Sequence, residues 1–452
     1  MSIIKKQMAA FILIFVCSFS VIAQKENKEI IVDCAVKEGI CTYRASGFLN
    51  AISLSEPQAS VVDPLKPQLF RENAWGWHWI QNGKFKDESG AFNCYPRLHN
   101  HLKARIQIVV SSIHGYGDGA VDRNKAYWPG DNNDWPQWEN KVKELVNHAV
   151  SNKYEVEWDI WNEPDHPRFW ARSNDQFFQT WKKTVNIIRQ IDHNAVIVGP
   201  SIAHYDEQYI KDFLIFSQKF NVLPTYLNWH QWEPETIVTR TKLMRDFIKD
   251  NDFAIKDIGM NEVIGPDENL APGAVVAYFA EIEKAKLNFA ARACWADIGC
   301  SGCFSNSLDG LLTPDKKTRS SWWVYKYYAE MSGELLNVKD YNSLSGLAAF
   351  DPKGAEGWQL KAILGCVNRD VNDLEVKIIN TNEIQWNDTS EVRIRAYIIP
   401  FSTYWQELAM PIQMIEDLVE VKENSFTFKI PQLNANDAYY VKMLKLPKTK
   451  KQ

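Results

Sequence analysis

The chain has 452 residues, of which 45% are hydrophobic and 24% charged, with 51 Lys and Arg against 56 Asp and Glu. These proportions are typical of a globular protein and exclude a fibrous or disordered chain. The formal net charge of −5 offers no basic surface for nucleic acid.

The N-terminus has the pattern of a secretory signal peptide. Lys5 and Lys6 precede an apolar run from Met8 to Ile22, which is followed by the small residue Ala23. A basic start, a short apolar run and a small residue at the cleavage site define such a leader, and the run is too short to span a membrane. We therefore expect residues 1–23 to be removed and the protein to be secreted or periplasmic, without membrane insertion.

Seven cysteines follow this leader, and export permits disulfides. Cys34 with Cys41, and Cys300 with Cys303, are pairs that can each close a small loop, and the odd number leaves at least one thiol unpaired. Cys300 and Cys303 also have the spacing of half a zinc site. No second pair of Cys or His at ligand spacing accompanies them, so the sequence predicts a disulfide or two free thiols there.

Residues 47–333 predict a (β/α)₈ barrel, because eight short apolar runs alternate with amphipathic segments of helical periodicity. A doubly wound open sheet is the alternative α/β fold, but no glycine-rich phosphate turn follows the first run. The predicted strands are Gly47–Leu54, Leu69–Trp75, Arg105–Ile113, Tyr154–Trp161, Ala195–Pro200, Tyr226–Trp232, Asp257–Ile264 and Ala291–Ile298. The predicted helices are Trp138–Ser151, Asp175–Ile191, Glu207–Lys219, Thr236–Asp250, Gly273–Leu287 and Ser321–Met331.

Residues 334–447 predict an antiparallel β-sandwich, because polar and apolar residues alternate there between turn signals and no helical segment intervenes. The predicted strands are Trp358–Val367, Leu374–Asn380, Glu391–Ile399, Ser425–Ile430 and Ala438–Leu446. The N-terminal segment 24–46 can add a strand to this domain at Glu29–Val36. Residues 448–452 form a basic tail.

Two glutamates stand at the ends of the fourth and seventh predicted barrel strands, in Trp161-Asn162-Glu163-Pro164 and Asn261-Glu262. The chemistry of such barrels is carried out at the C-terminal ends of the strands. Two carboxylates that flank a glycosidic bond are the apparatus of glycoside hydrolysis. A single glutamate at a barrel mouth is more often only a solvated acid, but a pair at two strand ends, each preceded by Asn, favours catalysis.

These motifs resemble clan A of the glycoside hydrolases, and the order of elements is most similar to glycoside hydrolase family 39. The likeness includes Gly47-Phe-Leu, Leu65-Lys-Pro-Gln-Leu-Phe-Arg71 and Asp309-Gly-Leu-Leu-Thr-Pro314, followed by the β-sandwich. It extends over essentially the whole mature chain. The sequence departs from the family pattern at Asn261 and Val263, where the family usually has Thr or Ser and an aromatic residue around the nucleophile.

The resemblance implies a retaining hydrolase in which Glu163 is the general acid/base and Glu262 the nucleophile, while Asn162 binds the sugar 2-hydroxyl. It implies a β-linked glycan of plant or algal polysaccharide as substrate, with β-xylosides first and iduronides, galactosides and arabinose-containing glycans also represented. It implies neither a cofactor nor a metal. An oligosaccharide or polysaccharide is thus the expected partner.

Two further residues are expected to support this pair. Arg71 ends the second predicted strand, where its charge would lower the pKa of Glu262; an ordinary salt bridge at the mouth is the alternative. His114 follows the third predicted strand, and Gly115 and Gly117 beside it suggest backbone close to a ligand. A sugar hydroxyl is the expected partner of His114, although an isolated histidine is more often structural.

Aromatic residues are expected to form the walls of the cleft. The chain has 18 tryptophans, and flat amphipathic rings suit sugars, although burial in the core is the commoner role of tryptophan. His230 at the sixth strand end is expected to contact the nucleophile, as the resemblance implies. The predicted aromatic walls are Trp75, Trp232 and Trp295.

Three alternatives remain open from the sequence. The first is a catalytically inactive barrel that only binds carbohydrate, and the second is an endo-glycanase of another clan A family. The third is an enzyme whose acids hold a divalent cation. Glu233 and Glu235 are the reserve carboxylates if Glu262 is not the nucleophile.

Overall fold

The computed structural model describes residues 28–50, 52–75, 90–111, 128–295, 306–339 and 343–446. In chain order its strands are β1 Glu29–Ile40, β2 Gly47–Leu49, β3 Leu69–Glu72, β4 Arg105–Val110, β5 Glu157–Ile160, β6 Val196–Ile202, β7 Tyr226–Trp229, β8 Asp257–Val263, β9 Ala290–Arg292, β10 Glu334–Lys339, β11 Leu344–Gly354, β12 Gly357–Cys366, β13 Val371–Ile379, β14 Glu391–Ile399, β15 Ile412–Glu420, β16 Ser425–Leu433 and β17 Ala438–Lys445. Its helices are α1 Ala59–Val62, α2 Ala91–Tyr95, α3 Pro136–Ser151, α4 Asn174–Ile191, α5 Glu207–Lys219, α6 Ile237–Asp250, α7 Pro272–Lys284 and α8 Ser320–Glu330.

Strands β2 to β9 are parallel neighbours that close into an eight-stranded barrel, which confirms the predicted (β/α)₈ fold. Each strand is buried along almost its whole length, as expected for a sheet that the helices cover from outside and the packed interior from inside. The described strands are mostly shorter than the predicted runs. The residues at the C-terminal ends of those runs leave the sheet to form the mouth, and this is where the candidate site lies.

The C-terminal part forms a second, mostly antiparallel sheet in the strand order β15-β14-β17-β12-β11-β10-β1-β13-β16. Only β1 and β13 pair in parallel, and β1 lies between β13 and β10 inside this sheet. The sheet curls around its own hydrophobic core, which includes Trp386, Val441 and Met443. The predicted antiparallel domain is therefore present as one curled nine-stranded sheet.

The barrel and the second sheet share a tightly packed interface. Helix α7 lies on β11 and β12, and a Cβ placed on Gly273 at its first turn would stand 2.1 Å from the Cys366 carbonyl oxygen. The rings of Tyr327 in α8 and Tyr440 in β17 stack with their centroids 3.9 Å apart. One hydrophobic cluster contains core residues of both parts, so the two parts pack as one body.

Of the two cysteine pairings that the sequence permits, the structure does not form the one between Cys34 and Cys41. Cys34 and Cys41 are free thiols, so they do not close a loop. Cys34 lies in the sheet core with no exposed surface, where its thiol packs as a small apolar side chain. Cys294 is disulfide-bonded, and Cys300 and Cys303 lie outside the described residues. Among the described residues, no helix has the length and hydrophobicity that a membrane crossing requires.

The tryptophans are mainly a feature of the core rather than of the cleft. Of the sixteen tryptophans that the structure describes, nine are buried: Trp128, Trp138, Trp158, Trp161, Trp170, Trp181, Trp229, Trp322 and Trp386. Four of these rings form an aromatic cluster behind the end of β5, with Trp161 in contact with the other three. The composition is therefore explained largely by packing.

Candidate active site

Glu163 stands on a strained turn directly after β5. Trp161 and Glu163 both have positive φ angles, of 73° and 50°, a conformation that costs a non-glycine residue about 1–3 kcal/mol. The turn is held because the Trp161 ring packs against Trp138 and Trp170. The Glu163 N–H donates to the Ser201 carbonyl oxygen at 2.9 Å. These contacts hold the strained turn in place and so set the direction of the Glu163 side chain.

Glu262 lies inside β8, one residue before the strand ends. Its carbonyl oxygen accepts the Gln231 N–H at 3.0 Å, so its backbone is held between neighbouring strands. Its carboxylate accepts a hydrogen bond of 2.7 Å from Arg71 Nη1. The side chain is 11% exposed, which leaves a small face open at the mouth.

The two glutamates are close together. One carboxylate oxygen of Glu163, one of Glu262 and one ring nitrogen of His230 all lie within 4.8 Å of one another. Carboxyl groups about 5–5.5 Å apart characterise retaining glycosidases, whereas inverting enzymes separate them by about 6.5–9.5 Å.

His230 bridges the two acids from below. Its Nδ1 lies 3.0 Å from Glu163 Oε1, and its Nε2 lies 3.7 Å from Glu262 Oε1. The ring is fully buried, and burial lowers its pKa to about 4 although Glu262 opposes the shift. His230 is therefore neutral at neutral pH, with one ring nitrogen that donates and one that accepts.

Arg71 connects the nucleophile candidate to the rest of the site. Besides Glu262, its guanidinium donates to Asp159 Oδ2 at 2.6 Å and to Asn162 Oδ1 at 2.9 Å. The side chain is 1% exposed, so these bonds compensate for the loss of water around the charge. The bond to Asn162 orients the amide group, leaving its Nδ2 as the donor for a ligand.

A polar network that sequence reasoning missed lies beneath the carboxylates. Asp159 also accepts from Asn261 Nδ2 at 2.9 Å and from the Ser201 hydroxyl at 2.5 Å. Ser201 in turn accepts from Asn228 Nδ2, and Asn228 accepts the Asn261 N–H. This closed set of hydrogen bonds explains why Asn precedes Glu262. The signal for it was Asp159, an acidic residue that stands between the apolar residues Trp158 and Ile160 inside a predicted strand.

Burial raises the pKa of both glutamates, but their surroundings differ. For Glu163 the charges that most oppose this rise in pKa are those of His166 and Arg71, and neither side chain donates a hydrogen bond to the Glu163 carboxylate. For Glu262 burial again dominates, while Arg71 opposes it through a direct hydrogen bond. The expected lowering of the Glu262 pKa is therefore outweighed by burial. Among the two glutamates, only Glu262 accepts a hydrogen bond from the Arg71 guanidinium.

Two of the predicted aromatic walls lie beside this cluster. The ring centroids of Trp232 and Trp295 are 5.1 Å apart, and Trp232 contacts the His230 ring edge-on at 5.9 Å. Their indole N–H groups donate to the carbonyl oxygens of Ala203 and Ile264. Both rings are thus fixed in position at one side of the two carboxylates.

The other predicted residues that the structure describes have their partners elsewhere. The Trp75 ring packs against Phe92 and His148, with centroids 5.1 and 5.5 Å away, because the chain turns outward after β3. His114 lies outside the described residues. The reserve carboxylate Glu233 is paired with Arg240 at 2.6 Å, so it is engaged elsewhere.

The cluster of Glu163, His230 and Glu262 also has the donor set of a metal site. Carboxylate oxygens and imidazole nitrogens are ligands for several divalent cations. However, the Arg71 guanidinium lies 2.7 Å from Glu262 Oε1, and its fixed positive charge stands beside the position that a cation would take. The residues present therefore fit proton transfer and nucleophilic attack better than metal binding.

Comparisons with known proteins agree with this fold. Residues 121–258 match the model of the family described as Glycosyl hydrolases family 39. The structure of N2152 from Neocallimastix frontalis is similar with a TM-score of 0.76 and 23% identity, over 92% of this chain and 99% of that one. A monomeric beta-xylosidase from Caulobacter crescentus CB15 has a TM-score of 0.65 and 14% identity, over 93% and 100% of the two chains. The family 39 enzyme from Xanthomonas axonopodis pv. citri gives 0.65 and 13%, over 93% and 98%.

The barrel, the paired glutamates at its mouth and the match of residues 121–258 together support a glycoside hydrolase. The resemblance to family 39 that Asn162-Glu163-Pro164 and the order of elements predict is confirmed by this match and by the fold of the similar structures.

Proposed function

We propose that this chain is a retaining glycosidase that hydrolyses β-linked glycans by double displacement. The spacing of the two acids carries the proposal, since oxygens of Glu163 and Glu262 lie within 4.8 Å of each other and of His230. That value falls on the retaining side of the two known geometries. The second observation is their unequal contact with Arg71, which supports different roles for two otherwise similar acids.

In the first step Glu262 attacks the anomeric carbon while Glu163 gives its proton to the leaving oxygen. Arg71 keeps the attacking carboxylate ionised and aimed, because an opposite charge at hydrogen-bond distance favours the ionised form. In the resting state His230 Nδ1 accepts a hydrogen bond from the protonated Glu163 carboxyl group, and the Nε2–H of the neutral ring faces Glu262. Asn162, held by Arg71, donates to the sugar 2-hydroxyl, a contact that strengthens in the transition state.

In the second step a water molecule releases the sugar from Glu262. Glu163, now ionised, takes the proton of this water, and its raised pKa makes it an effective base near neutral pH. Trp232 and Trp295 provide an apolar surface beside the sugar ring and restrict the access of bulk water. Lower local polarity strengthens the electrostatic effect of Arg71 on the carboxylate.

The substrate that we propose is a β-linked plant or algal glycan, with β-xylosides as the first candidates. The family resemblance supports this choice, and so does the beta-xylosidase among the similar structures. Export by the N-terminal leader is part of the same proposal, because plant and algal polysaccharides are degraded outside the cytoplasm. The expected mature N-terminus is Gln24.

A panel of aryl glycosides and polysaccharides, with products identified by mass, tests this function. Wild type should release sugar from at least one β-linked substrate, whereas Glu163→Gln and Glu262→Gln should each lower turnover by about 10³-fold or more. Glu233→Gln is the matched control, because Glu233 is bound to Arg240 and should not affect turnover. Near wild-type turnover by Glu262→Gln would refute the assignment. Glycan binding without turnover by wild type would favour the inactive binding protein.

A further inference from the structure

The loop between β14 and β15, residues 400–411, presents an aromatic pair in which Trp405 is exposed and Tyr404 is partly buried. Trp405 is 67% exposed, and it is the only tryptophan among the described residues with most of its surface in solvent. Its ring centroid lies 5.6 Å from that of Tyr404. Phe401 in the same loop is 44% exposed. Isolated apolar residues are common on surfaces, but two exposed aromatic residues in one loop indicate a binding surface.

The exposure of Trp405 is not the result of a loosely held loop. The Leu408 N–H donates to the Thr318 carbonyl oxygen at 2.9 Å, and the Leu408 carbonyl oxygen accepts from the Trp323 indole N–H at 2.6 Å. The hydroxyls of Ser402 and Ser320 are 2.9 Å apart. The loop is therefore fastened to the barrel on both sides of Trp405, while the indole itself points away from these anchors into solvent.

The barrel segment that anchors this loop also borders the candidate active site. It comprises residues 306–319, which lead from the C-terminal side of β9 to α8. Within it, Asp309 Oδ2 accepts the Leu49 N–H at 2.6 Å at the C-terminal end of β2. Burial raises the pKa of Asp309, and the charge of Glu262 adds to this effect, so the two carboxyls lie near each other.

A continuous series of contacts joins this border to the aromatic pair. Arg319 donates to the Gly310 carbonyl oxygen at 2.8 Å, one residue from Asp309. Its guanidinium also lies 4.3 Å from the centre of the Tyr404 ring. A cation over an aromatic face fixes the orientation of that ring. The pair is thus positioned relative to the barrel mouth through a buried arginine.

We propose that Tyr404 and Trp405 form a stacking platform for a sugar unit of a glycan chain that extends from the candidate active site. The inference rests on the proposed function for the class of ligand. A polysaccharide fits for two reasons: an indole face matches the apolar face of a pyranose ring, and polar side chains of Thr403, Gln406 and Glu407 surround the platform to serve sugar hydroxyls. The platform gives the second sheet a role in substrate binding.

Affinity electrophoresis of the full chain in native gels that contain soluble xylan tests this proposal, together with hydrolysis of xylan and of 4-nitrophenyl β-xyloside. For Trp405→Ala we expect the dissociation constant for xylan to rise about tenfold. The ratio of kcat/KM for xylan to that for the aryl xyloside should fall by a similar factor. Trp405→Phe, which keeps an aromatic face, should restore most of the loss. Ile215→Ala, at an exposed apolar position on α5, is the control that should match wild type.

Equal retardation of Trp405→Ala and wild type by xylan would overturn the proposal, as would failure of wild type to bind xylan. Turnover of the aryl xyloside by wild type in that experiment would leave the proposed function intact. Sedimentation velocity provides a second test, of whether another copy of the chain covers the platform. A wild-type dimer that Trp405→Ala converts to a monomer would show that another copy of the chain covers the platform, and would also overturn the proposal.

Discussion

At the scale of single residues, Arg71 is the side chain that distinguishes the two glutamates. It donates to Glu262, Asp159 and Asn162, so one charge orients the proposed nucleophile, an amide and a buried acid. The sequence indicated Arg71 through its place at a strand end. It did not indicate that burial would outweigh the charge, because the depth of a carboxylate depends on how the neighbouring strands close around it.

Replacement of Arg71 by Met should lower kcat/KM by about 10²-fold. Without the guanidinium the pKa of Glu262 rises further, and since Glu262 must be ionised to attack, the acid limb of the pH profile moves to higher pH. We expect a displacement of more than about one pH unit. Arg245→Met is the control, because Arg245 pairs with Asp257 at the opposite end of the same strand. An acid limb at the wild-type position would contradict the assigned role.

The alkaline limb of the profile should report Glu163. Burial raises the pKa of this group above its ordinary value, so activity should persist above the pH at which an exposed glutamic acid has lost its proton. It should then fall as Glu163 ionises. In Glu163→Gln the residual rate on a substrate with an activated leaving group should lack this limb. A variant that kept the wild-type limb would assign the titration to another group.

At the scale of elements, the barrel strands and the longer helices could be predicted because each carries its own pattern of buried residues. Helices α4 and α5 are capped at their N-termini by Ser173 and Asp206, whose side chains accept backbone N–H groups. The predicted starts of these two helices lie within one residue of the described ones. Strand β15 was missed, because it is an edge strand whose residues are largely exposed and show no alternation. The α2 segment was missed because it is too short for helical periodicity.

The contact of α7 with the second sheet depends on a glycine. A Cβ on Gly273 would meet the carbonyl oxygens of Cys366 and Asp437 at 2.1 and 2.7 Å, and backbone atoms cannot move aside as a side chain can. Gly273→Ala should therefore lower the free energy of unfolding by about 2 kcal/mol or more in urea titrations. Gly354→Ala is the matched control, since its obstruction is the flexible Gln359 side chain. Equal stability of the two variants would show that the interface adjusts.

At the scale of the whole molecule, the barrel and the curled sheet share hydrophobic contacts. The largest core cluster includes Leu347, Ile363 and Tyr440 of the sheet together with the barrel residues. The sequence predicted two domains and gave no measure of how they pack, because the interface is built from residues that look like ordinary core residues of either part. The extent of this interface depends on how α7 and α8 pack against the strands of the second sheet.

Unfolding should consequently be cooperative across both parts. Calorimetry of the mature chain should show one transition with a calorimetric enthalpy equal to the van't Hoff enthalpy. The shared core explains this result, since either part would expose apolar surface if the other unfolded first. Two resolved transitions, with the sheet or the barrel persisting alone, would contradict the packing described for Tyr327 and Tyr440.

The stereochemistry of the first product tests the central claim most directly. Proton NMR of a β-linked substrate during the first minutes of hydrolysis distinguishes the two anomers before mutarotation mixes them. Carboxylates as close as Glu163 and Glu262 predict that the β-anomer appears first and the α-anomer only later. Initial formation of the α-anomer would show that water attacks directly, and would contradict the double displacement proposed for this site.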